Sequence, residues 1–372
     1  MMLNNQLKQA FLVLLRQGLW GRKEVETNLF PLNPDEWMQI YEMAVKQTVQ
    51  GIVYDGIQLL PKEQQPPLAI LMQWTVVIDQ LERVNKKHLS TIHFLHQYFT
   101  QKASLPFILL KGQANGCYYI NPLHRVCGDI DLYFYHQSEK AHQLIEELGI
   151  SVERETYRKD SNNANYTING VAVDHRIRFM TLHNPWARKK LKAKQNEWFN
   201  SQEPSYLKIN DSAITILSPE MNHVMQVAHI LKHLITEGIG LRQCGDLVRT
   251  TFATHEQLNK PLLKEMLQTL GLYQFALVLY DLMVKQLGYP VEALPFPTSK
   301  DSTSLFNEIM ESGNFGRQDE RQKDTANTWL RKWYTYERVL KKCVLCIRFA
   351  PGEAFWWPVE LAYNNIKRFL TK

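Results

Sequence analysis

The chain reads as α+β, with a small mixed-sheet core flanked by helical N- and C-terminal regions. Three observations predict this. Apolar residues recur at helical spacing through the first hundred positions. Strand-like apolar runs and an Asn-Gly pair replace that spacing between residues 105 and 179. Helical spacing then returns from Ser218. The organisation expected is a helical region over 1–103, a mixed α/β unit over 104–210 and a helical region over 211–372.

Leu7, Phe11, Leu14 and Leu15 make one face of a first helix, and residues 35–54 continue the periodicity after a Pro-Asp start. Pro61 and Pro66-Pro67 break the chain before a long helix over about 68–101. Residues 107–110 read as a buried strand and 130–135 as another. Between them 113–119 suits a short helix, stopped at Asn121-Pro122. Residues 136–148 read as a helix ending at Gly149, a natural C-cap. Residues 164–168 and 171–179 flank Asn169-Gly170, the strongest short hairpin signal. With Ser218 as N-cap and Pro219 in the first helical position, a helix runs to Thr236. Gly238 and Gly240 interrupt it, and 241–252 resumes. More helices follow to about Gly288, and proline-rich 290–297 together with 299–325, rich in Gly, Ser and Asp, reads as an exposed excursion. Trp329, Trp333, Trp356 and Trp357 lie among Lys and Arg near the end of the chain. That pattern suits a terminal helix whose cations cover apolar surface, with a membrane surface or a partner as the alternative.

Net charge is +6 with 12 His, a mildly basic balance that suits an anionic ligand such as a nucleotide. It falls short of the dense basic runs of a dedicated nucleic-acid binder. The 45% apolar content supports sizeable cores. Five Cys, an odd number, suit reduced thiols in a cytoplasm better than a disulfide framework. Cys343-Val344-Leu345-Cys346 has the spacer of a redox or zinc motif but lacks a second ligand pair, so a core role is expected. No apolar run approaches the roughly 20 residues of a spanning helix, and the apolar run at 11–15 is short for a signal sequence. A cytoplasmic protein with no integral membrane association is expected.

Chemistry concentrates in LLKGQANGCYYINPLHRVCGDIDLYF, residues 109–134. Side chains alternate faces along a strand, so Asp129 and Asp131 point one way while Ile130 and Leu132 point to the core. Two adjacent acids repel unless a cation lies between them, and hard Mg²⁺ is the usual answer. On the hairpin strand, Val171, Val173, His175, Ile177 and Phe179 share one face, leaving Asp174 on the other with Arg176 and Arg178. Beside the first strand, Asp174 would complete a three-carboxylate cluster. Lys111-Gly112 falls where a strand hands over to a helix, a place for an anion. Gly112 permits close backbone approach, Lys111 adds a point charge, and Arg125 suits either a phosphate or bracing of the loop. An Asp-x-Asp pair alone also fits a solvated strand edge; the Lys-Gly turn and the third acid favour a site.

These residues resemble a known family. Leu110-Lys111-Gly112, Tyr119, Pro122, Arg125 and Gly128-Asp129-Ile130-Asp131-Leu132 look like the signature of the uncharacterised nucleotidyltransferase family, within the polymerase-β-like nucleotidyltransferase superfamily. A second block is also similar to the family: Ala228-His229, His233, residues 237–243 and Asp246. The sequence departs from the usual pattern in three ways. The turn reads Gly112-Gln113 without a hydroxyl, the gap from Gly112 to Asp129 is long, and the third acid sits in Asp174-His175-Arg176 where acid-x-His is common. His229 and His233 share a helix face, a spacing that suits metal binding but more simply packing.

The resemblance implies a nucleotidyltransferase core that transfers a nucleoside monophosphate from an NTP and releases pyrophosphate. It assigns Mg²⁺ or Mn²⁺ to Asp129, Asp131 and Asp174, the last holding a second ion and helping to activate the acceptor hydroxyl. It assigns nucleotide or phosphate contacts to Lys111, Gly112, Gln113, Arg125, Gly128 and Arg242. The acceptor could be a sugar, a small molecule, a protein or RNA. The rival expectation is a nucleotide-binding or scaffold protein of the same fold with weak or absent transfer.

Overall fold

A computed structural model describes residues 5–24, 27–135, 137–154, 164–319, 321 and 328–370. His136 of the helix expected over 136–148, and residues 320 and 322–325 of the expected excursion, lie outside these. The chain divides into two compact units. One comprises residues 1–44, 49–179 and 203–219; the other comprises 45–48, 180–202 and 220–372.

The first unit carries a seven-stranded mixed sheet. Its strands are β1 (Ile108–Leu110), β2 (Ile130–Tyr133), β3 (Glu153–Arg154), β4 (Ala164–Ile168), β5 (Val171–Arg176), β6 (Ser205–Ile209) and β7 (Ser212–Ile216). They lie in the order β3-β4-β5-β2-β1-β7-β6. β2 runs parallel to β5 and β1 runs parallel to β7, while the remaining neighbours are antiparallel. The hairpin expected at Asn169-Gly170 joins β4 to β5. Both turn residues adopt positive φ, 53° and 66°, as a turn that matches strand twist requires. The β6–β7 hairpin turns at Asn210, again at positive φ, and has no counterpart among the expected elements.

Among the described residues, six helices accompany the sheet sequence: α1 (Asn5–Trp20), α2 (Pro34–Lys46), α3 (Gln50–Gln58), α4 (Leu68–His96), α5 (Gly112–Gly116) and α6 (Ser138–Glu147). α4 runs on as a wider turn through Gln97–Lys102, so the long helix expected from Leu68 is found. The single helix expected over 35–54 is instead two, α2 and α3, because Thr48 takes a left-handed conformation (φ 54°) between them. Ile92, Leu95 and Phe99 pack with Ile130, Leu132 and Val173 in one apolar cluster. Alternation therefore turns Asp131 and Asp174 to the opposite face of the sheet.

The second unit is helical: α7 (Pro185–Asn200), α8 (Pro219–Thr236), α9 (Leu241–Thr254), α10 (Lys260–Thr269), α11 (Tyr273–Leu287), α12 (Thr303–Ser312), α13 (Thr328–Cys346) and α14 (Pro351–Leu370). Two parts of the expected excursion are packed instead: Ala293, Leu294 and Phe296 of its proline-rich start are buried, Phe296 against Tyr273 and Tyr280, and α12 falls inside the rest. It buries Leu305, Phe306, Ile309 and Met310, and Asp281 accepts hydrogen bonds from the Ser302 N–H and hydroxyl at its start. Cys343 and Cys346 are both buried, and burial pushes the Cys343 thiol up to about 12, which suits the core role expected of them. Trp357 is buried against His183 whereas Trp333 is exposed, so the Trp-rich segment is only partly packed. No described helix is long and apolar enough to cross a membrane.

Candidate functional site

Parallel pairing of β2 with β5 sets Asp131 directly opposite Asp174, and Asp129 precedes β2 by one residue. Each of the three carboxylates offers an oxygen within 4.8 Å of the other two. Among the described residues this is the one group of three or more potential metal ligands. The geometry depends on register. A one-residue slip of β5 would turn Asp174 into the core and bring His175 out. His175 instead lies buried, its Nε2 2.9 Å from the Tyr166 hydroxyl.

The acids differ in surroundings. Asp131 is 2% exposed, with Oδ2 2.8 Å from Lys111 Nζ and Oδ1 accepting from Arg176 Nε at 2.6 Å. Burial alone would push its carboxyl up, but Lys111 and Arg176 hold it at about 2. Asp174 Oδ2 lies 2.6 Å from Arg176 Nη2. With its nitrogen turned to Asp174, the Asn165 amide donates to Oδ1 at 2.6 Å. Burial, with the charges of Asp131 and Asp129 adding to it, pushes the Asp174 carboxyl up to about 6 against Arg176 and Lys111. Asp129 is partly exposed.

The strand-to-helix turn lies beside the cluster. Lys111 (φ 51°) and Gly112 (φ 41°) both adopt positive φ. For a lysine this costs about 1–3 kcal/mol, which the ion pair to Asp131 offsets. A Cβ on Gly112 would stand 3.4 Å from the Asp129 carbonyl oxygen, so the turn abuts the acid pair. Lys111 itself is directed at an acid. Gln113 is buried and donates to Asn85 Oδ1 at 2.9 Å. Asn85 Nδ2 in turn donates to the carbonyls of Leu123 and Arg125. Arg125 is buried and donates from Nη1 to the Val126 carbonyl, the loop-bracing arrangement of the two expected for it. Gly128 faces open space. Arg242 belongs to the second unit, in the first turn of α9, where its main-chain N–H donates to the Gln47 carbonyl.

Sequence reasoning missed Asn85, a lone amide on the apolar side of α4, and Asn165. It also missed His124, which bridges Asp55 of α3 (2.7 Å) and Glu82 of α4 (3.2 Å) just before the loop that leads to Asp129. His229 and His233 lie ring to ring at 4.4 Å, with His233 Nδ1 3.3 Å from Glu237, a packed arrangement rather than a ligand cluster. A cavity of about 780 Å³ in the second unit is lined by both signs of charge, and Arg321 there pairs with Glu308, Glu311 and Asp319.

A metal fits the three-acid group. The donors are all oxygen, the set preferred by Mg²⁺ and Mn²⁺, and they converge from two adjacent strands.

A family model described as "Uncharacterised nucleotidyltransferase" matches residues 33–288, well over half of the chain. A solved structure, of an antigenic nucleotidyltransferase-like protein from Paracoccidioides brasiliensis, is similar at 13% identity with a TM-score of 0.31, covering 57% of this chain and 93% of that one. No curated protein matches the chain.

Proposed function

The chain belongs to the uncharacterised nucleotidyltransferase family, and from this we propose that it moves a nucleoside monophosphate from an NTP to an acceptor hydroxyl. The observation that carries the reading is the convergence of Asp129, Asp131 and Asp174. In this reading the acid group would hold Mg²⁺ or Mn²⁺, whose charge would stabilise phosphate oxygens and the departing pyrophosphate. Asp174 assists removal of the acceptor proton. The acceptor oxygen bonds to the α-phosphorus as the bond to the α–β bridging oxygen breaks, giving a nucleotidylated acceptor and pyrophosphate. Lys111 fixes the Asp131 carboxylate, and the Gly112 turn gives phosphates a close backbone approach. Gln113 and Arg125 hold the intervening loop in place, and Gly128 leaves it room. Arg242 keeps the nucleotide role that the resemblance assigns it. A sugar, small molecule, protein or RNA each supplies the hydroxyl required. The protein acts in the cytoplasm.

A second reading, a nucleotide-binding protein of the same fold with little or no transfer, draws on the pairing of Asp131 with two cations already in place. Incubation with labelled NTPs, Mg²⁺ or Mn²⁺ and cell extract separates the two. The wild-type chain is expected to label an acceptor, and Asp129→Asn with Asp131→Asn to lose at least about 100-fold of that transfer. Asp129→Asn alone, at a partly exposed position, guards against a folding artefact. Absence of label with all four nucleotides, alongside retained metal-dependent nucleotide binding, would select the second reading. Transfer undiminished in the double variant would remove both.

A further inference from the structure

We propose that Arg176 takes the place of a second metal ion, so that this nucleotide site accepts one divalent cation rather than two. The inference rests on the nucleotidyltransferase reading above. One guanidinium spans the facing carboxylates of two parallel strands, with Nε 2.6 Å from Asp131 Oδ1 and Nη2 2.6 Å from Asp174 Oδ2. The register of Asp131 opposite Asp174 creates that slot, the position from which a shared ion would reach both acids. A planar fork with fixed donors fills it in a way that a mobile ammonium does not.

The other oxygens of these two acids are also engaged. Asp131 Oδ2 lies 2.8 Å from Lys111 Nζ, and Asp174 Oδ1 accepts from Asn165. A second ion would have to expel the guanidinium from two charge-assisted bonds and leave it without its partners. Mg²⁺ sheds its own water reluctantly and competes poorly for carboxylates so held. Asp129 differs: it is partly exposed and stands outside the ion pairs that Lys111 and Arg176 make with the other two acids. The cluster thus has a filled half, between Asp131 and Asp174, and an open half at Asp129. Lys111 and Arg176 supply two positive charges to the three carboxylates, which leaves one negative charge to attract an incoming cation.

Equilibrium dialysis of the full chain against Mn²⁺, alone and with α,β-methylene-ATP, counts the ions retained per chain. One Mn²⁺ is expected for the wild type and two for Arg176→Ala, whose slot is vacated. Two ions on the wild-type chain would overturn the proposal, and that count requires no variant to fold. A folded Arg176→Ala chain that still holds one would overturn it as well. Retention of neither Mn²⁺ nor the analogue by the wild type, or retention indifferent to Asp129→Asn, would instead bring down the nucleotidyltransferase reading and this inference with it.

Discussion

His124 joins two helices to the loop that runs into Asp129, with a carboxylate at each ring nitrogen. Burial alone would lower its pKa, but hydrogen bonds and charge from Asp55 and Glu82 raise it. A histidine whose folded pKa lies above its unfolded value of about 6.5 stabilises the fold fully below that pH, and the contribution is lost as pH rises through the folded value. His124→Gln is therefore expected to lower stability by roughly 1–3 kcal/mol near pH 6, with the gap to wild type closing towards pH 9. Urea unfolding across that range measures it, and a gap that widens with pH would contradict the assignment. At this scale the acids were legible and their partners less so. Period-two alternation is enough to pair Asp129 with Asp131 and to set Asp174 apart from His175. It carries no information on which cation reaches which acid, because Arg176 meets Asp131 only through the register of β5 on β2. Asn85 was hidden for the same reason, since its partners lie on a loop distant in sequence.

Helix α1 meets α3 backbone to backbone. A Cβ on Gly18 would stand 1.8 Å from the Ile52 carbonyl oxygen, and one on Gly56 would stand 1.9 Å from that of Leu14. Alanine gains up to about 1 kcal/mol over glycine inside a helix. Here the obstacle is main chain, which cannot rotate away, so the overpacking cost of about 1–3 kcal/mol or more prevails. Gly56→Ala is expected to lower the urea midpoint; an unchanged or higher midpoint would mean that the helices separate freely. Elements announced by a strong local signal were readable: the long α4, the Asn-Gly hairpin, and α8 behind Ser218-Pro219. Those that depend on their surroundings were not. β6 and β7 are five residues each and bury only two aliphatic side chains apiece, Leu207 with Ile209 and Ile214 with Ile216, a pattern too short to stand out. The break at Thr48 interrupts an apolar periodicity that continues on both sides, and α12 lies in a stretch whose composition imitates a loop.

The first unit is gathered from three separated stretches, and the last of them, residues 203–219, supplies both strands beyond β1. A chain ending at residue 202 would leave β1 with β2 as its single neighbour and its other side as an unpaired edge. Such a fragment is expected to aggregate, and one ending at 219 to aggregate less, as followed by light scattering at matched concentration; equal scattering would show that β7 does not protect that edge. The same arrangement sets a schedule during synthesis. At about 5–20 residues per second, the roughly forty residues between the end of β5 and the end of β7 take some 2–8 s to emerge from the ribosome. Through that interval every strand that contributes to the acid cluster is already outside, while the sheet beneath it still has an open side.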